Sequence, residues 1–570
     1  SSAASDVYKR QKNYMKYIKN LLIWYILLAG GSLLVSCGDD NIVTKGNPIE
    51  NPDPEPDPEA GLRVVNKVKY RPYNYMMWDN WYIVKEDSIH LFHLQGIVNG
   101  VSYSRDTNLR GFGHAASGDL LHWNEKPEVL SLYDKSLDNE ADFRYTGCTV
   151  EHQGQYYTFY TMRKWAGQRI GVALSDDLYT WKEYEGNPVI VPDGRWFITF
   201  SSNSSTGSSY ANWDRVDCRD MVVVKDKSGG GFYGCFVSSS DMSGLTSPTA
   251  VIGLAYSTDL LHWEQRGIVY YPTGVSMPEM IDVFEHEGVW YMTLTTAKDN
   301  GSLTAFSDPY ITRGTIYATA VSPQGPFMED MKDNVLIGGQ LSSGYSMRTV
   351  DYQGERRLMY VDVDNGVSVL SLPKNIGLNN QGKLRALYAS DLLPKLRIQE
   401  ISPVIYDQPA NSFGWPTYGG LWKEKEGVFS CKTDKDSWQA AIFEGVSANM
   451  EISFTIEDFQ CSSFGIVLAR PVAEVSLSDL SHILVIEPKK DRVYLTDHTW
   501  DFQNCRSYIF EERRKYDFRM LLMGNTIELY INDELVFNSS LHSSGNYLPG
   551  VFANDGTLDV LNLKLFRLEE

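Results

Sequence analysis

The sequence predicts an all-β protein: a five-bladed β-propeller followed by an antiparallel β-sandwich. Three observations carry that reading. A short motif recurs three times, as "GHAASGDLLHW" (113–123), "GVALSDDLYTW" (171–181) and "GLAYSTDLLHW" (253–263). Alternating strand-like runs flank the copies, such as "QYYTFYTM" and "GFYGCFVSS". From about residue 401 the runs lengthen and alternate strictly, as in "NMEISFTIE" and "IELYINDELVF". No long helical pattern is evident after the N-terminal segment.

Repetition at this scale marks one supersecondary unit used several times. Each copy has Gly, then Ser, then Asp-Leu, then Trp at fixed offsets, which reads as strand, turn and strand within one blade. The segments "WYMTLTTA" and "RRLMYVDV" supply further blades before residue 400, giving five. The catalytic candidates therefore fall in a propeller over 61–400, and 401–570 forms the C-terminal sandwich. Period-two alternation with turn residues between runs, such as "MGNT", supports antiparallel pairing there.

The first 60 residues are not part of that body. "MKYIKNLLIWYILLAGGSLLVSC" has a lysine-bearing start, an apolar centre and small residues before Cys37, the layout of a secretory signal. Its ending resembles a bacterial lipoprotein signal, which makes Cys37 the lipidation site and residues 1–37 the leader. The "GDDN" that follows resembles export signals of surface lipoproteins in Bacteroidota. Residues 38–60 form a Pro- and acid-rich tether, extended by proline and by like charges. The expectation is an extracytoplasmic protein, lipid-anchored at the outer membrane or cell surface of a Gram-negative bacterium.

Composition narrows the partners. A formal charge of −20 with no basic cluster in the body excludes a nucleic-acid partner. Aromatics at 13 % of the chain suit short strands and flat surfaces on which sugar rings stack. Besides Cys37, the cysteines are Cys148, Cys218, Cys235, Cys431, Cys461 and Cys505; none is in a CxxC pair, so no zinc site is expected. The histidines show no HExxH spacing. Asp119, Asp177 and Asp259 recur at one repeat position and read as turn caps rather than metal ligands. His122 and His262 share a repeat position and read as structural. Neither metal nor cofactor is expected, and oligomeric state is not legible.

A propeller gathers its inner strands around one axis, so acids distant in sequence can meet there. Three acids sit beside apolar strands: Asp79 in "MMWDNWYIV", Asp220 in "DCRDMVVV" and Glu279 in "SMPEMIDVF". Trp78, Trp81, Gln95, Tyr145, Arg219, Asp282 and Tyr345 are candidate sugar contacts. Trp78 and Trp81 read equally well as core, and Asp282 as a structural acceptor.

In order along the chain, these segments resemble glycoside hydrolase families 32 and 68, the invertase, inulinase, levanase and levansucrase group. "WDNW" and "IHLFHLQ" are similar to the families' opening aspartate motif and following strand. "GHAASGDLLHW" matches their Gly-His-Ala-Thr-Ser…Asp-Leu-Val-His-Trp, and "YTGCTV" echoes Phe-Ser-Gly-Ser. Arg219-Asp220-Met221 stands for Arg-Asp-Pro, and Glu279 to Phe284 for Glu-Cys-Pro-Asp-Leu-Phe. "LSLPKNIGLNNQGKLR" resembles the lead into the second domain. The chain departs in lacking Pro after Asp79 and Asp220 and Cys after Glu279.

The resemblance implies retaining cleavage of fructose-containing glycans. Asp79 is then the nucleophile and Glu279 the acid/base, about 5–5.5 Å apart. Asp220 stabilises the transition state, and Arg219 orients Glu279 or the sugar. Met277 and Met280 are expected to bury Glu279 and raise its pKa. Alternatives are a family 43-like arabinosidase or xylosidase, a non-catalytic surface glycan-binding lipoprotein, and a fructan-building transferase.

Overall fold

The computed structural model describes residues 68–569 except 74, 98–110, 131–142, 165–166, 200–215, 242–248, 341–343, 365–366, 406–421, 436, 446, 473–478, 500–502, 512–513 and 543–544. The leader, Cys37 and the tether lie outside the described residues. No described helix is long and apolar enough to cross a membrane.

Four antiparallel four-stranded sheets follow one another. The first holds β1 (Tyr75–Lys85), β2 (Ser88–Ile97), β3 (Phe112–Ser117) and β4 (Asn124–Val129). The second holds β5 (Phe143–His152), β6 (Gln155–Lys164), β7 (Gly167–Ser175) and β8 (Lys182–Glu183). The third holds β9 (Cys218–Lys225), β10 (Phe232–Ser240), β11 (Thr249–Ser257) and β12 (Glu264–Tyr270). The fourth holds β13 (Glu279–His286), β14 (Val289–Ala297), β15 (Arg313–Ala320) and β16 (Val335–Gly339). A further group follows: β17 (Tyr345–Tyr352), β18 (Glu355–Asp364), β19 (Val367–Leu370) and β20 (Lys374–Leu378). There β18 pairs with β17, β19 and β20. The first strands are neighbours in sequence, β1 to β5, β5 to β9, β9 to β13 and β13 to β17, and β17 returns to β1. The arrangement is propeller-like.

Two turn types recur among the sheets. In the second and fourth sheets and in the β17–β18 pair, the first and second strands close on two-residue hairpins in which both residues have positive φ: Gln153-Gly154, Glu287-Gly288 and Gln353-Gly354. Such turns match strand twist and call for glycine. In the first three sheets the third and fourth strands are joined by the repeated motif. In the first copy Ser117 Oγ accepts the Leu120 N–H at 2.8 Å, and Asp119 Oδ1 accepts those of Leu121 and His122 at 2.9 and 2.8 Å. The second and third copies repeat this through Ser175 with Asp177 and Ser257 with Asp259. The central leucines Leu120, Leu178 and Leu260 take φ of 64–74° and are fully buried. Apolar burial offsets a backbone conformation disfavoured for leucine. The three aspartates are turn caps, as their repetition implied.

In the C-terminal region the last strand, Leu548–Leu568, is shared between two groups of strands. Its first part pairs with Trp438–Ile442 and Phe459–Ala469, and its last part with Asn449–Ile456 and Arg397–Ile401. Phe443, Phe454, Phe464, Phe518 and Phe537 belong to the core cluster of this region. The junction with β17–β20 is polar and buried: Lys374 Nζ donates to Glu528 and lies 4.7 Å over the Tyr360 ring. All six cysteines of the described residues are free.

Candidate active site

Five inner strands break register at the same level. Two residues oppose one at Trp78–Asp79 on β1, Thr146 is inserted on β5, and Asp220–Met221 bulge on β9. Met280–Ile281 bulge on β13 directly after Glu279, and Ser346–Met347 on β17 directly after Tyr345. Asp220, Met280 and Ser346 have φ of 54°, 51° and 53°. A bulge re-aims a side chain out of the two-sided alternation of a strand, and non-glycine residues at positive φ carry strain of about 1–3 kcal/mol each. Strain of this kind on three neighbouring strands at one level marks a site.

The bulges bring the three acids together. Asp79 is fixed by two hydroxyls: Thr146 Oγ1 donates to Oδ2, and Ser346 Oγ donates to Oδ1 at 2.8 Å. Asn80 Nδ2 donates to the Ser346 carbonyl at 2.8 Å, tying β1 to β17 beneath the carboxylate. Asp220 is 3 % exposed. Its Oδ2 accepts the Met280 N–H at 2.8 Å, and its own N–H donates to Thr161 Oγ1 at 3.1 Å. Burial pushes the Asp220 pKa up to about 7; Arg219 opposes this, while Asp79 and Glu279 add to it. Asp220 is therefore partly protonated at neutral pH.

Glu279 is half-buried, and Oε2 accepts the Tyr345 hydroxyl proton. Burial and Glu279 push the Tyr345 phenol well above its ordinary pKa, so it stays a donor. The apolar enclosure expected around Glu279 is one-sided. Met280 is buried, but Met277, in the loop before β13, is 44 % exposed.

Arg219 donates to Asp217 Oδ1 at 2.6 Å and to the Pro278 carbonyl at 3.0 Å. Burial works against its charge, but Asp217, Asp220 and Glu279 outweigh it and hold its pKa above the ordinary value. It therefore anchors the backbone just before Glu279.

The other candidates divide. Trp78 and Tyr145 are half-buried beside the bulges. Gln95 is buried and donates to Glu128 at 3.1 Å. Trp81 is core: it is 2 % exposed, meets Phe112 edge-on at 4.9 Å, and its indole N–H donates to Thr149 at 3.0 Å. A ring so enclosed has no face for a sugar. Asp282 is a structural acceptor: Oδ2 takes the N–H and the hydroxyl of Thr349, each at 2.7 Å. It lies past the bulge, opposite Thr293 on β14, and ties β13 to β17. Sequence reasoning missed Thr146 and Ser346, although each adjoins an aromatic it had picked. No group of His, Cys, Asp and Glu among the described residues could hold a metal ion.

Fold and site define a propeller-like all-β protein with a three-carboxylate centre at its axis. Residues 80–356, just under half of the chain, match the Glycosyl hydrolases family 32 N-terminal domain. The matched stretch holds Asp220 and Glu279 and begins one residue after Asp79, where the opening motif departs from the family pattern. A levanase of Bacillus sp. (strain L7) is 26 % identical over 334 residues, 54 % of this chain. The chain spans about a third of that relative's length, 32 %. The fold is that of a β-fructofuranosidase from Bombyx mori (TM-score 0.59, 18 % identity, 88 % of this chain and 94 % of that one). A fructofuranosidase from Schwanniomyces occidentalis, solved with fructosylnystose, is also similar (TM-score 0.62, 16 % identity, 88 % and 97 %).

Proposed function

We propose that the chain is a retaining glycoside hydrolase that cleaves fructose-containing glycans of the fructan or sucrose kind. The observation that carries this reading is the convergence of Asp79, Asp220 and Glu279 on bulges of three inner strands. Retaining cleavage needs one carboxylate to attack and one carboxyl group to give and take a proton.

Asp79 attacks the anomeric carbon and forms a glycosyl-enzyme ester. The Thr146 and Ser346 hydroxyls hold the carboxylate in one rotamer, which lowers the entropic part of the barrier. Glu279 gives its proton to the glycosidic oxygen as the bond to the leaving sugar breaks. It then takes a proton from water, which attacks the ester and frees Asp79. Asp220 accepts hydrogen bonds from ring hydroxyls as positive charge develops on the sugar.

The finer fold assignments belong to the same reading. The ring of neighbours from β1 round to β17 supports five blades. The two strand groups sharing Leu548–Leu568 around one apolar core support a β-sandwich. The pairing of Arg397–Ile401 with that strand supports a boundary close to residue 400. The leader supports an extracytoplasmic, lipid-anchored location. Loss of lipid labelling in Cys37→Ala tests it, and unchanged labelling overturns it.

The protein lacking residues 1–60 is incubated with sucrose, inulin, levan and a panel of arabinosides and xylosides. Release of fructose supports the proposal. Release of arabinose or xylose alone favours the family 43-like alternative, and binding without release a glycan-binding lipoprotein.

A further inference from the structure

We propose that Arg313 is a positioning residue for cleavage, acting on the general acid through Tyr345 from the leaving-group side of the site. The inference rests on the reading of Glu279 as acid/base.

A general acid must face the glycosidic oxygen, so the departing sugar lies on the Glu279 side of the cleavage point. What stands behind Glu279 there is a short chain of contacts. Tyr345 donates its hydroxyl to Glu279 Oε2. Arg313, the first residue of β15, places its guanidinium carbon 5.0 Å from the centre of the Tyr345 ring. Arg313 Nη2 donates to Asp299 Oδ2 at 2.9 Å, so the cation is held from the other side too. The Arg313 side chain is 35 % exposed and that of Asp299 70 %, which puts this pair at solvent rather than in the core.

The chemistry of the three groups is matched. Burial and the Glu279 charge raise the Tyr345 pKa, and the Arg313 charge works against that rise. A cation on the ring face is attracted to its quadrupole and fixes the ring plane. Fixing the plane fixes where the hydroxyl points, and so which rotamer Glu279 holds. Asp299 holds the Arg313 guanidinium from the side away from the ring, and the group that touches Glu279 is the neutral Tyr345 hydroxyl.

The test exploits leaving-group chemistry. A sugar leaving group needs protonation, whereas a 4-nitrophenol departs with little help. In Arg313→Leu, kcat/KM for sucrose or a fructan is expected to fall about tenfold, and for 4-nitrophenyl fructofuranoside by less than about twofold. Arg313→Lys keeps a cation over the ring and is expected to recover most of the loss. Tyr345→Phe is expected to show the same selectivity more strongly, and the double variant Arg313→Leu/Tyr345→Phe to be no worse than Tyr345→Phe alone. Equal losses on both leaving groups, or additive losses in the double variant, overturn the inference while the fructosidase reading stands. A wild-type protein that cleaves neither substrate overturns both.

Discussion

Two sets of acids in this chain have opposite fates. Asp119, Asp177 and Asp259 sit at the turns between the third and fourth strands of their sheets. Asp79, Asp220 and Glu279 sit at the bulges of the inner strands. For Asp177, the N–H groups of Thr180 and Tyr179 pull the pKa down to about 2. For Asp259, burial pushes up, but His262 and the N–H groups of His262 and Leu261 prevail and bring it to about 2. At the axis, burial and two neighbouring carboxylates instead push Asp220 up to about 7. The peripheral acids are repeated and satisfied, and their backbone neighbours supply the donors. The axial acids are each different and crowd one another. Crowded carboxyl groups are costly to a fold and useful to chemistry, which is why perturbed pKa values gather at working sites.

The strongest way to break the contrast is to neutralise one acid from each set. Asp79→Asn and Glu279→Gln are each expected to lower kcat on fructosides on the order of a thousandfold or more, with the melting temperature held or raised. Asp259→Ala is expected to leave kcat within about twofold and to cost about 1–2 kcal/mol, because two backbone N–H groups lose their acceptor. Rate assays beside thermal melts measure both. A large rate loss in Asp259→Ala, or wild-type rates in Asp79→Asn, would abolish the distinction.

Asp220 sharpens it through pH. Its folded pKa is about 7 against an ordinary 3.8, so between these values the folded protein holds the proton more tightly than the unfolded chain. Its contribution to stability is therefore fully present below about pH 3.8 and lost as pH rises through 7. Asp177 and Asp259 have the opposite sign: their contribution is present above 3.8 and lost as pH falls towards 2. Asp220→Asn is expected to remove the neutral-side slope from denaturant melts taken between pH 5 and 8, and to slow cleavage about a hundredfold. An unchanged slope would show that the three carboxyl groups do not interact.

The axial acids were legible because each is unique within an apolar, strand-like segment, and because the segments occur in a familiar order. The turn acids were legible because they repeat. What period-two reasoning could not give is the bulge. Trp81, a flat ring two residues from Asp79, read equally well as pocket wall and as core. The two-for-one insertion at Trp78–Asp79 aims Asp79 at the axis and leaves Trp81 between the first two sheets, against Phe112 and Thr149. Asp282 misled for a different reason: its carboxylate is taken up by the N–H and hydroxyl of Thr349, a partner that appears only when β17 flanks β13. Thr146 and Ser346 were missed because one hydroxyl in a strand has no pattern, and its role appears only when β5 and β17 flank β1. The paired hairpins at Gln153-Gly154, Glu287-Gly288 and Gln353-Gly354 were a second repeat in plain view, hidden by their shortness.

The smallest expected effect lies within the peripheral set. His122 and His262 occupy one repeat position, and each bonds its capping aspartate at 2.7 Å through Nδ1. His122 alone among the two has a second partner, Glu569 near the end of the last strand, at 3.2 Å from Nε2. Burial lowers the His122 pKa, but Asp119 and Glu569 outweigh it and leave it raised. A raised histidine stabilises fully below the unfolded value of about 6.5 and loses that contribution as pH rises through the folded value. The His122 side chain is 30 % exposed and that of Glu569 41 %, so solvent screening keeps the extra contact to about 0.3–0.5 kcal/mol. His122→Ala is therefore expected to cost that much more than His262→Ala at pH 6, with the gap closing by pH 9. In His122→Ala/Glu569→Gln the two losses should not add. A gap that persists at pH 9 would mean that His122 acts by packing, and that the capping turns differ by shape rather than by charge.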